Sequence, residues 1–167
     1  EGMTIHHSDA RLVLARNSQA RYDVIVADAF HDIAIPTHLV TREHAQLVHA
    51  RLAPGGLYTL NVVDAFPDAK LVKAMIKTLR TVFADVHVWL DEIPGESARV
   101  TYVISAGDDH MPAEVLNARR GLPRRCLRLT KPTTGVGTPM AELPLLTDDH
   151  APVEQLMADL FLTSLGR

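Results

Sequence analysis

The sequence has little cysteine, little net charge and no long apolar run, and each shortage excludes a class of protein. Its single cysteine, Cys126, excludes an internal disulfide and any multi-cysteine metal site. The formal net charge of -3 argues against a protein that neutralises phosphates, so we expect no nucleic-acid partner. No apolar run approaches the roughly 20 residues of a spanning helix, and we expect a soluble, cytoplasmic segment without membrane contact.

The beginning of the chain also lacks the positively charged start and apolar stretch of a signal peptide. Residues 1–7 look instead like the middle of a domain, and we expect this chain to be the C-terminal portion of a longer one. None of the nine glycines forms a G-x-G-x-x-G nucleotide-binding loop. The 167 residues suffice for one well-buried domain and are too few for two ordinary ones.

A short apolar run from Tyr22 to Asp28, rich in β-branched residues, is the clearest strand in the sequence. Such a run is typical of a strand buried on both faces of a parallel sheet. It ends in Asp28, and open α/β sheets bind their ligands beyond the carboxyl ends of the strands. Asp28 is therefore the candidate catalytic residue; the alternative is an aspartate that caps the loop or helix after it.

Strand and helix patterns alternate along the chain and predict the fold class. The predicted elements are a strand over Met3–Asp9, a helix over Ala10–Arg16, the strand Tyr22–Asp28, a helix from Thr37 or Thr41 to Leu52, a strand over Leu57–Val63, a helix after Pro67, and paired strands over Asp85–Leu90 and Arg99–Ser105. This order predicts an α/β protein with a Rossmann-like, mainly parallel sheet, helices on both faces and a C-terminal antiparallel hairpin. In the helix after Pro67, Lys73 is predicted to lie on the polar face.

The pattern weakens after Gly107. It predicts a helix near Pro112–Arg119, a strand over Cys126–Leu129 and a closing helix over Val153–Leu165. We expect residues 1–107 to form the C-terminal half of a Rossmann-like domain and residues 108–167 to form an extension packed on that same domain.

Three stretches resemble one known family. They are Tyr22-Asp-Val-Ile-Val-Ala-Asp28, the break Leu52-Ala-Pro-Gly-Gly-Leu-Tyr58, and the closing strand pair. Together they are similar to the C-terminal half of a class I S-adenosylmethionine-dependent transferase, and within that superfamily to the spermidine synthase-like family, whose tails carry a phrase similar to Leu146-Thr-Asp-Asp-His-Ala-Pro152. The resemblance covers Met3 to about Gly107. It implies that the N-terminal half with the glycine-rich cofactor loop is missing from this chain, which should then bind nucleoside poorly.

The resemblance also implies an activity and roles for individual residues. The intact protein would move an aminopropyl group from decarboxylated S-adenosylmethionine to a polyamine such as putrescine. Asp28 would accept the proton of the attacking amine, Asp9 and Ala10 would contact the adenine, and His31 or Asp32 would anchor the distal amine. In the family the proton-accepting aspartate is followed by two small residues, a second aspartate and a proline, whereas here Asp32 is displaced by one residue and His31 stands in its place.

Other interpretations remain open beside this one. The altered run after Asp28 also suits a methyltransferase that uses S-adenosylmethionine on a small molecule, and a third possibility is a non-catalytic domain that keeps the fold. Asp9 has a second reading as the cap of the helix that follows it. Tyr102 is a candidate for amine binding, with core packing as its alternative.

Metal binding and assembly complete the expectations. His6 and His7 are adjacent and would point to opposite faces of a strand, and no zinc-protease motif occurs, so we expect no metal site. The turn Thr147–His150 resembles a catalytic cluster, but capping of the next helix is the better explanation. A sheet that lacks strands exposes an edge and an apolar face, which predicts self-association as a homo-oligomer or pairing with a complementing partner chain.

Overall fold

The structure, a computed structural model, describes residues 2–29, 35–109, 115–117, 125–129 and 136–160. Its strands are β1 (Tyr22–Ala27), β2 (Leu52–Phe66), β3 (Asp85–Leu90), β4 (Ala98–Gly107), β5 (Val115–Asn117) and β6 (Arg125–Arg128). The helices are α1 (Ala10–Arg16), α2 (Arg42–His49), α3 (Lys70–Leu79) and α4 (Val153–Leu156), with 3-10 turns at Thr37–Leu39 and Met140–Glu142. The strands form one sheet in the order β1-β2-β4-β3-β6-β5.

The parallel part of this sheet is the pair β1 and β2, which α2 connects. Val24 pairs with Leu57 and Ala27 with Leu60. Thr41 caps α2 by accepting a hydrogen bond from the His44 amide at 3.2 Å, so the second of the two predicted starts is the true one. The strand–helix–strand order predicted around Asp28 is therefore confirmed.

Two glycines shape the entrance to β2. Gly55 has φ +73, a backbone conformation that favours glycine. A Cβ on Gly56 would lie 2.8 Å from the Ala53 carbonyl oxygen and 3.0 Å from that of Tyr22. The register of β1 on β2 shifts at this point, between Tyr22 and Val24, because the glycines form an irregularity within the strand.

The antiparallel part of the sheet is larger than predicted. β3 and β4 pair antiparallel, as expected for the C-terminal hairpin, and β4 lies between β3 and β2 and is antiparallel to both. Val115–Asn117, predicted to be helical, forms a strand because it pairs with Arg125–Leu127. Tertiary pairing here overrides the weak local pattern.

The predicted strand over Met3–Asp9 is wrong. Residues 2–8 are exposed and form neither helix nor strand. A strand persists only when a neighbour satisfies its backbone groups, and within the described residues β1 is the last strand at this edge of the sheet.

The core lies where α2 and α3 cover the sheet. Alternate residues of β2, Tyr58, Leu60, Val62 and Asp64, are buried, which marks the covered face. On α3 the prediction for Lys73 was wrong: its side chain is fully buried, because residues 136–143 cross over that face of the helix. Lys73 Nζ donates to the Val136 and Thr138 carbonyl oxygens at 2.6 and 2.8 Å and to Asp68 Oδ1 at 2.8 Å, which satisfies its ammonium group.

Candidate active site

The end of β1 and the starts of α1 and α2 enclose a cavity of about 270 Å³. α1 contributes Ala10 and Leu14, the segment before α2 contributes Ile35 and Leu39, and Asp28 lies where β1 ends. Most of the wall is aliphatic, and a carboxylate at the margin of an apolar cavity is a common arrangement for a small-molecule site. The cavity brings together two of the predicted site residues, Ala10 and Asp28.

Asp28 follows β1 directly and its side chain is exposed. Because Ala27 pairs with Leu60 in a parallel register, the next residues along the two strands, Asp28 and Asn61, come side by side. Among the described residues none donates a hydrogen bond to the Asp28 carboxylate. Residues 30–34 of the loop that follows lie outside the described residues, so the catalytic role of Asp28 and its alternative as a cap both stay predictions.

Asp9 is engaged in the structure. Its Oδ1 accepts a hydrogen bond from the Leu12 amide at 3.0 Å, and its Oδ2 lies 2.7 Å from His38 Nε2. The Leu12 hydrogen bond, followed by the one from His38, lowers the pKa of Asp9. The capping reading is confirmed, while the adenine contact stays a prediction, because each carboxylate oxygen retains a second lone pair.

Tyr102 lies in β4 opposite Val62 and is only 1% exposed. Burial, and after it the negative charge of Asp64, raises the pKa of its hydroxyl group. Tyr102 does not line the cavity with Asp28, so its core-packing role is confirmed and its amine-binding role stays a prediction. His31 and Asp32 lie outside the described residues.

Sequence reasoning missed three polar residues of the cavity wall. Asn61 lines it beside Asp28, and His44 and Tyr58 line it from α2 and β2. Neither the His44 Nδ1 nor the Tyr58 hydroxyl has a hydrogen-bond partner in the described part of the chain, and both are buried. Burial, and then the charges of Arg11 and His38, lower the pKa of His44 to about 4, so it is a neutral imidazole at neutral pH. The register of parallel strands was the available signal for Asn61.

Asp64, near the end of β2, is a second carboxylate that the sequence did not single out. It is 1% exposed, and its two oxygens accept hydrogen bonds from the Ala65 amide at 2.8 Å and the Val72 amide at 3.0 Å. Burial raises its pKa to about 6 despite these hydrogen bonds. It fixes the start of α3 and does not line the cavity.

A family model described as the spermine/spermidine synthase domain matches residues 1–114. The chain belongs to this family. Its relatives include a probable polyamine aminopropyl transferase of Bifidobacterium longum, 28% identical over 89% of this chain and 36% of the relative. The polyamine aminopropyltransferase of Vibrio vulnificus is 34% identical over 56% of this chain and 30% of that protein. The spermidine synthase-like resemblance is thereby confirmed, and the chain spans about a third of the length of these relatives.

Solved structures give the same result for the fold. A probable spermidine synthase from Corynebacterium glutamicum superimposes with a TM-score of 0.54 and 30% identity, over 62% of this chain and 37% of that one. Human methyltransferase-like protein 13 in complex with SAH superimposes with a TM-score of 0.51 and 26% identity, over 63% and 49%. The Rossmann-like α/β fold of this spermidine synthase-like chain is confirmed.

The described residues contain neither a cluster of metal ligands nor a membrane-spanning helix. No three histidine, cysteine, aspartate or glutamate side chains within them come together as a metal site. Within the same ranges no helix has both the length and the apolar character needed to cross a bilayer.

Proposed function

We propose that the intact protein transfers an aminopropyl group from decarboxylated S-adenosylmethionine to a polyamine such as putrescine, with Asp28 as the base. The observation that carries the proposal is the exposed carboxylate of Asp28 at the margin of the cavity, to which none of the described residues donates a hydrogen bond, in a chain of the spermine/spermidine synthase family. Relatives named as polyamine aminopropyltransferases support the same activity.

The reaction explains why a carboxylate is needed at this position. The sulfonium donor supplies an electrophilic carbon with a good leaving group already attached. The protein must therefore align an amine with that carbon and remove its proton, because an alkyl ammonium has a pKa near 10.4. A carboxylate within hydrogen-bonding reach can accept this proton. Asp28 supplies it, and the neighbouring amide of Asn61 can orient the amine.

The residues present fit the adenine end of the donor. Ala10, Leu14 and Leu39 offer an apolar wall, and Asp9 lies beside Ala10 with free lone pairs for an exocyclic amino group. For the ribose and methionyl parts the sequence offers no glycine-rich loop. His31 or Asp32 would hold the distal amine, and Tyr102 would act only if its buried hydroxyl became accessible.

The test is to identify the nucleoside product by mass spectrometry. The protein is incubated with S-adenosylmethionine or its decarboxylated form, together with putrescine or other polyamines. Amine-dependent methylthioadenosine is expected, and Asp28→Asn should lower its rate by about a hundredfold or more, the usual contribution of a general base. Asp23→Asn, an exposed aspartate on the same strand, is the matched control and should leave the rate unchanged. Equal rates for Asp28→Asn and the wild type would refute the role.

A methyltransferase is the second candidate, because the chain also superimposes on human methyltransferase-like protein 13. S-adenosylhomocysteine as the product would establish it in the same experiment. If neither nucleoside product forms, the non-catalytic interpretation replaces both.

A further inference from the structure

A cluster of charged side chains joins the C-terminal tail to α1 and α2. Asp148 accepts hydrogen bonds from Arg11 at both oxygens, Nη1 to Oδ1 at 2.7 Å and Nη2 to Oδ2 at 2.6 Å. Thr41, the cap of α2, donates to Asp148 Oδ1 at 2.7 Å, and the Asp148 amide donates to Glu43 Oε2 at 3.0 Å. Paired bonds of this type are short, strong and specific in direction. The Arg11 guanidinium holds the pKa of Asp148 down at about 2, so the carboxylate stays ionised at neutral pH.

The same arginine reaches the segment before α2. Arg11 Nη1 also donates to the His38 carbonyl oxygen at 3.0 Å. Next to it, Asp9 Oδ2 lies 2.7 Å from His38 Nε2. The first turn of α1 is thus bound directly to the 3-10 turn before α2, and Asp148 links it to Thr41 at the start of α2.

These bound elements are two walls of the candidate active site. α1 contributes Ala10 and Leu14 to the cavity, and Leu39 and His44 come from the 3-10 turn and α2. Arg11 follows Ala10 directly in the chain. Thr41 lies within three residues of both Leu39 and His44. The contacts of Arg11 and Asp148 therefore lie between the two walls, together with the Asp9–His38 contact and a hydrogen bond from Arg51 Nε to the Leu14 carbonyl oxygen at 2.9 Å.

Attachment of the tail does not require this arrangement. Leu146 already holds the tail, because its amide donates a hydrogen bond to the Thr78 hydroxyl oxygen at 2.9 Å and its carbonyl oxygen accepts one from the Arg42 amide at 2.8 Å. The Arg11 contact adds a bridge across to α1, beyond what anchoring to α2 and α3 needs.

We propose that Arg11 and Asp148 are positioning residues that set the separation of α1 and α2 and so the shape of the cavity beside Asp28. The motif Thr147-Asp148-Asp149-His150 then acts through Asp148 at a distance from the reacting atoms. The effect on catalysis rests on the proposed function, whereas the effect on the cavity walls does not.

The first arm of the test is amide hydrogen exchange on the ligand-free chain. The reporters are Val13, whose amide bonds to the Asp9 carbonyl, and Val40, whose amide bonds to the Thr37 carbonyl. Asp148→Asn should accelerate exchange at both about tenfold, because it weakens the charge-assisted pair. Asp148→Glu keeps the charge and should restore most of the protection. Asp149→Asn, an exposed neighbour in the same turn, is the matched control and should change nothing.

The second arm is steady-state kinetics on the protein as encoded in its gene. We expect Asp148→Asn to lower kcat/KM by about tenfold or more, through misalignment of the site, with partial rescue by Asp148→Glu. Arg11→Gln removes the pair from its other side and serves if Asp148→Asn does not fold. Measurement below the unfolding transition separates misalignment from loss of folded protein.

The outcomes separate the two proposals. Unchanged exchange at Val13 and Val40 overturns the positioning role, and so does acceleration that extends equally to α3, which indicates general destabilisation. Faster local exchange with a wild-type kcat/KM also overturns it. A wild-type protein that forms no methylthioadenosine refutes the proposed function instead, and the exchange result then decides the positioning of the walls by itself.

Discussion

Replacement of Lys73 by methionine should destabilise the protein by about 3 kcal/mol, although the sequence suggests a harmless surface site. The ammonium group is fully buried, and three acceptors surround it: Asp68 Oδ1 at 2.8 Å, the Val136 carbonyl oxygen at 2.6 Å and the Thr138 carbonyl oxygen at 2.8 Å. Methionine has a similar length, so the change removes the charge and its hydrogen bonds while it keeps most of the packing.

The magnitude follows from what the substitution leaves behind. Removal of one partner of a buried ion pair costs roughly 3–5 kcal/mol when the other charge is left uncompensated. Asp68 is 24% exposed and keeps hydrogen bonds from the Thr138 amide and hydroxyl, both at 2.8 Å, which places the cost at the lower end of that range. The two carbonyl oxygens lose their donor, and relief from burying an ammonium group offsets part of that loss.

Urea denaturation monitored by circular dichroism measures the change. Lys77→Met is the matched control on the same helix, because Lys77 is partly exposed and donates to the Ala141 and Leu143 carbonyl oxygens at 3.0 and 2.6 Å. We expect about 1 kcal/mol for Lys77→Met. Combination of Lys73→Met with Asp68→Asn should cost less than the sum of the two single changes. A loss below about 1 kcal/mol for Lys73→Met, or a gain in stability, would refute the reasoning, since it would mean that the ammonium group contributes nothing net.

Two further predictions concern acid–base behaviour and assembly. Asp64 has a pKa raised from 3.8 to about 6, so the folded state holds its proton more tightly than the unfolded state, and its contribution to stability is present at low pH and lost as the pH rises through 6. Between pH 4.5 and 7 the free energy of unfolding should fall by about 2 kcal/mol for this reason. Urea titrations should show this fall in the wild type and in Asp23→Asn but not in Asp64→Asn. A free energy of unfolding that rises over this pH range because of Asp64 would contradict the prediction. Val24 and Val26 are 53% and 65% exposed on the edge strand β1, so light scattering should show association that increases with protein concentration. Val26→Lys should reduce this association, and a monodisperse monomer at all concentrations would contradict the prediction.

The predictable part of the fold was the part that local pattern determines. The apolar run of β1, the cap at Thr41 and the glycine break after α2 each carry their own signal and appear where they were expected, although the break lies within the first residues of β2. The strand over Met3–Asp9 failed because a strand also needs a neighbour, which no local pattern supplies. For Val115–Asn117 the sequence predicted a helix, but the segment forms a strand because it pairs with β6.

The candidate site likewise has residues that local pattern predicts and residues that only the tertiary structure shows. Asp28 was accessible to sequence reasoning because strand ends are recognisable and the family motif covers this run. Three features depend on elements that are distant in the chain: the lack of a partner among the described residues for His44 Nδ1 and the Tyr58 hydroxyl, the burial of Lys73, and the pairing of Asp148 with Arg11. In particular, Arg11 and Asp148 are 137 residues apart, and no spacing rule joins them.

The glycines at the start of β2 decide which side of the sheet each later residue of that strand occupies. Across the irregularity, two steps along β1, from Tyr22 to Val24, correspond to five steps along β2, from Leu52 to Leu57. β2 therefore contains three more residues than β1 over this segment. Because side chains alternate between the two faces of a strand, an odd number of extra residues exchanges the faces of all later residues of β2, compared with an uninterrupted pairing. Removal of one residue from this segment would exchange the two faces downstream, turning Tyr58 outward and taking Asn61 away from Asp28.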